Sequence, residues 1–333
     1  MSLKIAINGF GRIGRSVARV ASMREDVEIV AINDMADPKM MAYLLKNDSV
    51  HGAFESEVQL LEENYLQIGK NRVKIFCEKE PKYLDFASCG ADVVLECSGL
   101  FLTKESVKSH LDKGIKKVII SAPAQDKETP TFVLGVNEKL YSGESIISNA
   151  SCTTNCLGPV AKVLDEAFGI QKGLMTTIHS YTNDQNLLDV KHDKDKRRSR
   201  AAAVNMIPTT TGAAKAISLV LPQLYGKLHG QSVRVPTPDV SMVDLNVVVE
   251  RNTTKEEISA LFKAKAQNEL KGLLLVDEEM RVSQDFVGCP YSAIVADDLI
   301  QVIGGNMIKV MAWYDNEWGY SNRLIEMALY ISK

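Results

Sequence analysis

Lys4-Ile5-Ala6-Ile7-Asn8-Gly9-Phe10-Gly11-Arg12-Ile13-Gly14 is the stretch that decides the fold. A short apolar run, Ile5-Ala6-Ile7, leads straight into G-x-G-x-x-G. Apolar residues then recur at Ile13, Val17, Val20 and Ala21 with helical spacing, which predicts a helix over Ile13 to Met23. A second apolar run, Val27 to Ile32, ends beside an acidic residue, Asp34, about twenty residues past the last glycine. Strand, glycine turn, helix and distal acid together form the context in which this motif reads as a dinucleotide-binding turn. Gly9 permits the tight turn, Gly11 lets backbone approach a pyrophosphate, and Gly14 allows close helix–sheet packing. The helix start offers free N–H groups and partial positive charge to the phosphates. Asp34 is expected to accept hydrogen bonds from ribose hydroxyls and to repel a 2′-phosphate.

Outward from this turn, further short apolar runs occur at Val73–Phe76, Val93–Leu95, Lys117–Ile120 and Ser145–Ile147. Continuous apolar runs between helical segments predict a parallel sheet covered on both faces, hence a doubly wound α/β Rossmann domain. After about residue 150 the pattern changes. Met242-Val243-Asp244-Leu245-Asn246-Val247 alternates, as a sheet with one covered face does. Lys255 to Glu269 reads as an amphipathic helix, with Ile258, Leu261, Phe262 and Leu270 on one face. Ile308–Tyr314 is a strand and Arg323–Ile331 a closing helix. The expected organisation is a dinucleotide domain over residues 1–150, completed by a C-terminal helix within 316–333. An α+β catalytic domain with a mixed or antiparallel sheet fills residues 151–315.

Composition excludes several classes. The chain has 333 residues, enough for about two domains, and is 45% hydrophobic and 24% charged. That is a globular composition. A net charge of −3 gives no electrostatic footprint for nucleic acid. No apolar run approaches the ~18 residues of a membrane span, and the N-terminus has no signal-peptide shape. A cytoplasmic protein is expected. Six cysteines without C-x-x-C spacing, and no paired histidines, argue against a metal site. One segment, His192-Asp193-Lys194-Asp195-Lys196-Arg197-Arg198-Ser199-Arg200, is almost wholly charged. It reads either as a solvated loop or as an anion-binding or subunit-contact loop.

The segment Ser148-Asn149-Ala150-Ser151-Cys152-Thr153-Thr154-Asn155-Cys156 follows the run Ser145–Ile147 and precedes helix-forming residues Val160 to Phe168. Cys152 therefore stands at or near a helix N-terminus. A thiol with a pKa of ~8.5 is only about 3% ionised at pH 7. A helix N-terminus and a nearby imidazolium are expected to lower that value by about two units, worth ~2.7 kcal/mol, making thiolate the major form. A lone cysteine before a helix can equally be a small core residue. The hydroxyls and amides crowded around Cys152 suit an oxyanion site better than a core. Cys156, one turn inward, reads as a buried structural thiol. Of the five histidines, His179 ends the apolar run Gly173–Ile178, where an α/β site collects side chains. His51, His110, His192 and His229 lie in ordinary contexts.

Both the glycine turn, Ile7 to Arg15, and the cysteine segment, Ser148 to Cys156, closely resemble those of the phosphorylating glyceraldehyde-3-phosphate dehydrogenases. So do Thr176–Gln185, Pro208–Lys215, Val233–Pro238 and Trp313–Glu317. The resemblance runs from end to end; the cysteine segment is specific and the glycine motif is not. It implies that Cys152 is the nucleophile and His179 its base. A thiohemiacetal and then a thioester form on Cys152, and inorganic phosphate releases 1,3-bisphosphoglycerate. It implies that Thr182, Arg198 and Arg234 hold the substrate phosphate, and that Ser151, Thr153, Thr211 and Gly212 hold the attacking phosphate. Asn316 would orient the nicotinamide carboxamide. Gly9, Gly11, Arg12, Ile13, Gly14, Asp34, Ser98, Ser121 and Asn183 would line the cofactor. A homotetramer is implied, with the charged loop near the subunit core.

Two departures from the family pattern bear on the cofactor. After Asp189 the chain reads Val190-Lys191 where NAD-specific relatives carry Leu-Pro, and the loop is one residue longer. Asp34 argues for NAD, while Lys191 could attract a 2′-phosphate, so dual use of NAD and NADP is expected. Glu78-Lys79-Glu80-Pro81 stands where relatives often carry Glu-Arg-Asp-Pro, which leaves Lys79 as the residue beside the adenine. Two alternatives remain open: erythrose-4-phosphate dehydrogenase, and a non-catalytic cofactor-binding or moonlighting protein.

Overall fold

A computed structural model of the chain describes residues 2–62, 64–193 and 195–333. The chain divides into two units. The first comprises Met1–Phe132, Glu138–Ser151 and Ser321–Lys333, and the second Val133–Asn137 and Cys152–Tyr320. No helix among the described residues is long and apolar enough to cross a membrane.

The first unit is a sheet flanked by helices. Its strands are β1 (Leu3–Asn8), β2 (Val27–Asn33), β3 (Val58–Glu62), β4 (Tyr65–Ile68), β5 (Asn71–Phe76), β6 (Val93–Glu96), β7 (Lys117–Ile120) and β8 (Ile146–Ser148). They lie in the order β8-β7-β6-β1-β2-β5-β4-β3. The chain works outward from β1 to β2 and β5, then returns to the other side of β1 with β6. That reversal opens a crevice beyond the carboxyl ends of β1 and β6, where ligands of such sheets bind. From β8 to β5 all pairings are parallel. These strands are continuous apolar runs because both faces are covered. Ile5, Ile7, Ile29, Ile32, Val93, Val94 and Leu95 are all fully buried. Each such side chain contributes on the order of 1.5–3 kcal/mol of burial free energy.

Two antiparallel strands, β3 and β4, extend this sheet beyond what the sequence pattern indicated. Val58–Glu62 is half-exposed and carries polar side chains, so its weak alternation did not stand out. Helices α1 (Arg12–Ser22), α2 (Pro38–Lys46) and α3 (Lys104–Asp112) complete the unit, with most of α7 (Trp318–Ile331). The last helix is tied in through Tyr141, whose hydroxyl donates to the Ile331 carbonyl at 3.4 Å.

The second unit is a mixed sheet with helices. It contains α4 (Cys152–Phe168), β9 (Ile170–Ser180), β10 (Ile207–Thr210), α5 (Ala213–Val220), β11 (Leu228–Val235), β12 (Ser241–Val249) and α6 (Lys255–Gln267). β13 (Leu274–Asp277), β14 (Ala293–Ala296), β15 (Gln301–Ile303) and β16 (Met307–Tyr314) follow. Their order is β10-β11-β9-β12-β16-β14-β13, with β15 on β16. The alternation read in Met242–Val247 is real: Met242, Val243, Leu245 and Val247 are buried, Asp244 and Asn246 half-buried. Helix α6 ends at Gln267, two residues before the expected limit, yet Leu270 remains buried in the following turn.

Candidate active site

In the first unit the glycine turn is shaped by close backbone approach. Gly9 has φ +92°, and a Cβ there would lie 2.5 Å from the Ser98 Cα. A Cβ on Gly14 would meet the Gly9 carbonyl oxygen at 2.1 Å. Gly11 has open space, and it precedes α1 without any side-chain cap or first-turn acid. The start of α1, at Arg12 and Ile13, therefore meets no carboxylate from its own first turn. Asp34 directly follows β2. Its carboxylate accepts the Phe10 N–H at 2.6 Å and the Ala36 N–H at 3.0 Å, which fixes it beside the turn. Arg12 pairs with Asp48.

Further expected cofactor residues stand at neighbouring strand ends. Ser98 follows β6, and its N–H and hydroxyl both donate to Glu96. Ser121 follows β7 and donates its N–H to the Glu96 carbonyl at 3.0 Å. Lys79 is exposed in the segment after β5. This helix start without a side-chain cap and the closely packed glycine turn fit a pyrophosphate, and the fixed Asp34 fits a ribose.

In the second unit, Cys152 is the first residue of α4 and His179 the penultimate residue of β9. Cys152 Sγ lies 3.7 Å from His179 Nε2. Across the ladder, His179 is in register with Arg234 of β11, so both side chains leave the same face. Arg234 Nη1 sits 3.0 Å from His179 Nδ1, donates to the Ser180 carbonyl at 3.0 Å, and reaches Thr182 Oγ1 at 3.4 Å. The same carbonyl lies 2.8 Å from Nδ1. Assigned from these contacts, Nδ1 carries the ring proton toward Ser180, and the Nε2 lone pair faces the sulfur.

The electrostatics differ from the sequence expectation. Burial pushes the Cys152 thiol up, while the Arg234 charge and the Thr153 N–H and hydroxyl pull it down. Burial, and then Arg234, push His179 down to about 3. The ring is therefore neutral at pH 7, and the cation beside the sulfur is a guanidinium rather than an imidazolium. The expected imidazolium is corrected for a plain reason: a ring buried against an arginine does not hold a second positive charge.

Arg234 itself is strained electrostatically. Burial and the neighbouring Arg198 lower its pKa, its Nε is buried without a hydrogen-bond partner, and no ion pair among the described residues involves it. Two mutually repelling guanidinium groups beside a threonine hydroxyl suit an anion. Arg198 is held by Asp184, by Thr209 Oγ1 at 3.0 Å and by the Thr210 carbonyl at 3.2 Å. Thr211 and Gly212 continue from this strand into α5, and Thr211 Oγ1 accepts the Ala213 N–H. In the charged loop, Lys191 is exposed with Nζ 3.2 Å from Asp193, and Lys194 lies outside the described residues. Asn183 follows Thr182 in the segment leading into that loop, and Ser151 directly precedes Cys152. Cys156 is fully buried, with its sulfur 3.8 Å from the Ala312 carbonyl.

Sequence reasoning gave no role to Tyr314 or to the serines around Asn316. The buried Tyr314 hydroxyl joins Thr153 Oγ1 at 2.8 Å to Thr177 Oγ1 at 2.9 Å, locking the start of α4 onto β9. Thr153 thus turns its hydroxyl inward. The Asn316 Oδ1 accepts from Ser180 Oγ at 3.0 Å and Ser241 Oγ at 2.6 Å, which fixes which way its amide points. The only signal in the sequence was polar residues at the ends of buried strands.

Comparison with known proteins shows the family. The family model described as glyceraldehyde 3-phosphate dehydrogenase, NAD binding domain, matches residues 3–104, and its C-terminal domain counterpart matches residues 151–316. Glyceraldehyde-3-phosphate dehydrogenase 1 of Bacillus cereus is 53% identical over 331 residues, covering 99% of this chain and 98% of its own. The Geobacillus stearothermophilus enzyme is 52% identical over 334 residues, covering 100% and 99%. The chloroplastic A form of Chlamydomonas reinhardtii is 50% identical over 329 residues, covering 98% and 88%. The chain belongs to the glyceraldehyde-3-phosphate dehydrogenase family.

Proposed function

We propose that this chain oxidises glyceraldehyde 3-phosphate to 1,3-bisphosphoglycerate, with NAD or NADP as acceptor and inorganic phosphate as co-substrate. The observation that carries this reading is the thiol 3.7 Å from a neutral imidazole whose other side meets an unpaired guanidinium. His179 Nε2 takes the Cys152 proton as sulfur bonds to the aldehyde carbon, and returns it to the carbonyl oxygen to complete a thiohemiacetal. Bound nicotinamide supplies the hydride acceptor. His179 receives the hydroxyl proton as the carbon is oxidised to a thioester on Cys152. Phosphate oxygen then attacks that carbon, the C–S bond breaks, and sulfur recovers its proton from His179. The proton of the attacking phosphate passes to solvent.

Thr182, Arg198 and Arg234 hold the substrate phosphate, while Ser151, Thr153, Thr211 and Gly212 serve the attacking phosphate. Asn316 orients the carboxamide; Gly9, Gly11, Arg12, Ile13, Gly14, Asp34, Lys79, Ser98, Ser121 and Asn183 hold the dinucleotide. Lys191, exposed and paired with the exposed Asp193, supports use of NADP beside NAD.

The chain acts as a cytoplasmic homotetramer. Six free thiols support a reducing compartment. Exposed Leu187, Leu188, Val204 and Met206 around the charged loop support burial against another copy. The deciding experiment follows cofactor reduction with glyceraldehyde 3-phosphate, with and without phosphate, separately with NAD and NADP, and with erythrose 4-phosphate as the rival aldehyde. Phosphate-dependent turnover of the triose is expected. Its absence overturns the reading, and an NAD preference above about a thousandfold, ~4 kcal/mol, overturns dual use.

A further inference from the structure

Asn33, Asn8 and Glu96 are register partners at the ends of three adjacent parallel strands, β2, β1 and β6. Their side chains form one hydrogen-bonded row. Asn33 Oδ1 accepts the Glu78 N–H at 2.8 Å and its Nδ2 donates to the Glu78 carbonyl at 2.9 Å, which fixes the orientation of that amide. Asn33 Nδ2 also donates to Asn8 Oδ1 at 2.7 Å. Asn8 is thereby forced to present its Nδ2 to Glu96 Oε2. From the other side, the Ser98 N–H donates to Glu96 Oε1 at 2.9 Å, and the Ser98 hydroxyl donates to the same oxygen while accepting the Leu100 N–H at 3.1 Å. Each of these three contacts brings a donor to the carboxylate. The row ties together the segments that follow β1, β2, β5 and β6, which carry Gly9, Asp34, Lys79 and Ser98.

We propose that Glu96 is a positioning residue for the cofactor: its buried carboxylate, closing the Asn33–Asn8 row, holds the Ser98 backbone as the floor on which the Gly9 turn rests. This rests on the reading that the turn takes a dinucleotide. The coupling is steric. A Gly9 Cβ would lie 2.5 Å from both Ser98 Cα and N, so the turn follows any shift of Ser98. An acceptor with two oxygens fits this position, and an amide does not. A glutamine would set its NH2 against either the Asn8 Nδ2 or the Ser98 N–H, leaving two donors face to face. Glu96 is only 1% exposed, so water does not repair that mismatch. Burial pushes its carboxyl up to about 7, and the Ser98 and Asn8 donors pull against that rise.

The test is NAD binding by calorimetry on the full chain, without aldehyde, alongside steady-state kinetics. Wild-type protein that fails to bind NAD defeats the dinucleotide reading itself, a separate outcome from those that follow. Glu96→Gln is expected to weaken NAD binding by roughly tenfold, with kcat at saturating NAD within about threefold of wild type. The paired exchange Asn8→Asp with Glu96→Gln rebuilds the row, because the glutamine NH2 then donates to the new carboxylate while its oxygen keeps the Ser98 donors. That double variant is expected to bind NAD within about threefold of wild type. Should Glu96→Gln not fold, Asn8→Asp alone sets two carboxylates against each other and is expected to weaken binding by at least the same factor, with the exchange reversing it. A Glu96→Gln effect below about threefold, or a double variant no tighter than its weaker parent, overturns the proposal.

Discussion

The two units treat buried polar groups in opposite ways. At the strand ends of the first, Asn33, Asn8, Glu96, Ser98 and Asp34 satisfy one another and the backbone before any ligand arrives. In the second, the Arg234 guanidinium is buried with an unpartnered Nε, and a thiol and an imidazole both carry the cost of burial. A surface that only binds a large cofactor gains from being formed in advance. A surface that must stabilise charge appearing during a reaction gains from donors and cations that the resting protein leaves unsatisfied. The contrast separates a cradle from a reaction centre without reference to either ligand.

The sharpest way to break that contrast is a reciprocal pair of substitutions. Cys152→Ser is expected to lower phosphate-dependent turnover by more than about 10⁴-fold, since a serine hydroxyl beside a neutral imidazole is a far weaker nucleophile, while NAD affinity stays within about threefold. Gly11→Ala should do the reverse. Open space around Gly11 lets the methyl fit, so the melting temperature is expected to stay within about 2 °C, but the methyl intrudes on the approach of a pyrophosphate. NAD affinity is expected to fall about tenfold or more, measured by the same calorimetry. If each substitution damages both readouts equally, the division of labour is wrong.

A second substitution probes the open cation. Arg234→Gln removes the guanidinium that contacts His179, Ser180 and Thr182. The loss in kcat/KM for the phosphorylated aldehyde is expected to reach about 10²-fold, close to the 2–3 kcal/mol of a charge-assisted hydrogen bond pair. The same change removes the positive charge that favours thiolate, so alkylation of Cys152 by iodoacetamide at pH 7 should slow. Faster alkylation would mean that burial of the arginine, rather than its charge, governs the sulfur.

How much of this was legible in the sequence depends on the range of the interaction. The glycine turn, β1, β2, β6 and β7 are local: each is a short apolar run with punctuation, and the structure places them within a residue or two of the expected limits. The β3–β4 hairpin escaped because β3 is half-exposed and β4, though Leu66 and Ile68 are buried, is only four residues long. Resemblance gave Arg234 and His179 separate roles, and their contact was not legible, since it is created by the parallel register of β9 with β11, far apart in the chain. The role of Tyr314 is not legible in the sequence, because its partners Thr153 and Thr177 come from α4 and β9. The neutral imidazole was misread for a related reason: spacing reports which residues are present but not how deeply the fold buries them.

An unpartnered buried group is not by itself a mark of function, and His110 makes the point measurable. Both ring nitrogens are buried without a hydrogen-bond partner, and the ring stacks on Phe86 with centroids 5.6 Å apart, within the apolar packing of the first unit. Burial, and then Lys113, push His110 down to about 4 from 6.5. The sign follows from proton linkage. Above pH 6.5 neither state holds the proton, so the group adds no pH dependence. As pH falls from 6.5 towards 4 the unfolded chain binds a proton that the folded chain refuses, and stability drops by about 1.4 kcal/mol per unit. Below about 4 the loss levels off near 3 kcal/mol. His110→Leu removes this slope and leaves no polar atom unsatisfied. The wild-type stability deficit relative to the variant is therefore expected to grow by about 2 kcal/mol between pH 7 and pH 5 in urea unfolding, with activity at pH 7 unchanged. Taking the difference cancels other titrating groups, Glu96 among them. A difference that stays flat across that range would mean the ring is solvated in the folded protein, and the same doubt would then extend to the open valence of Arg234.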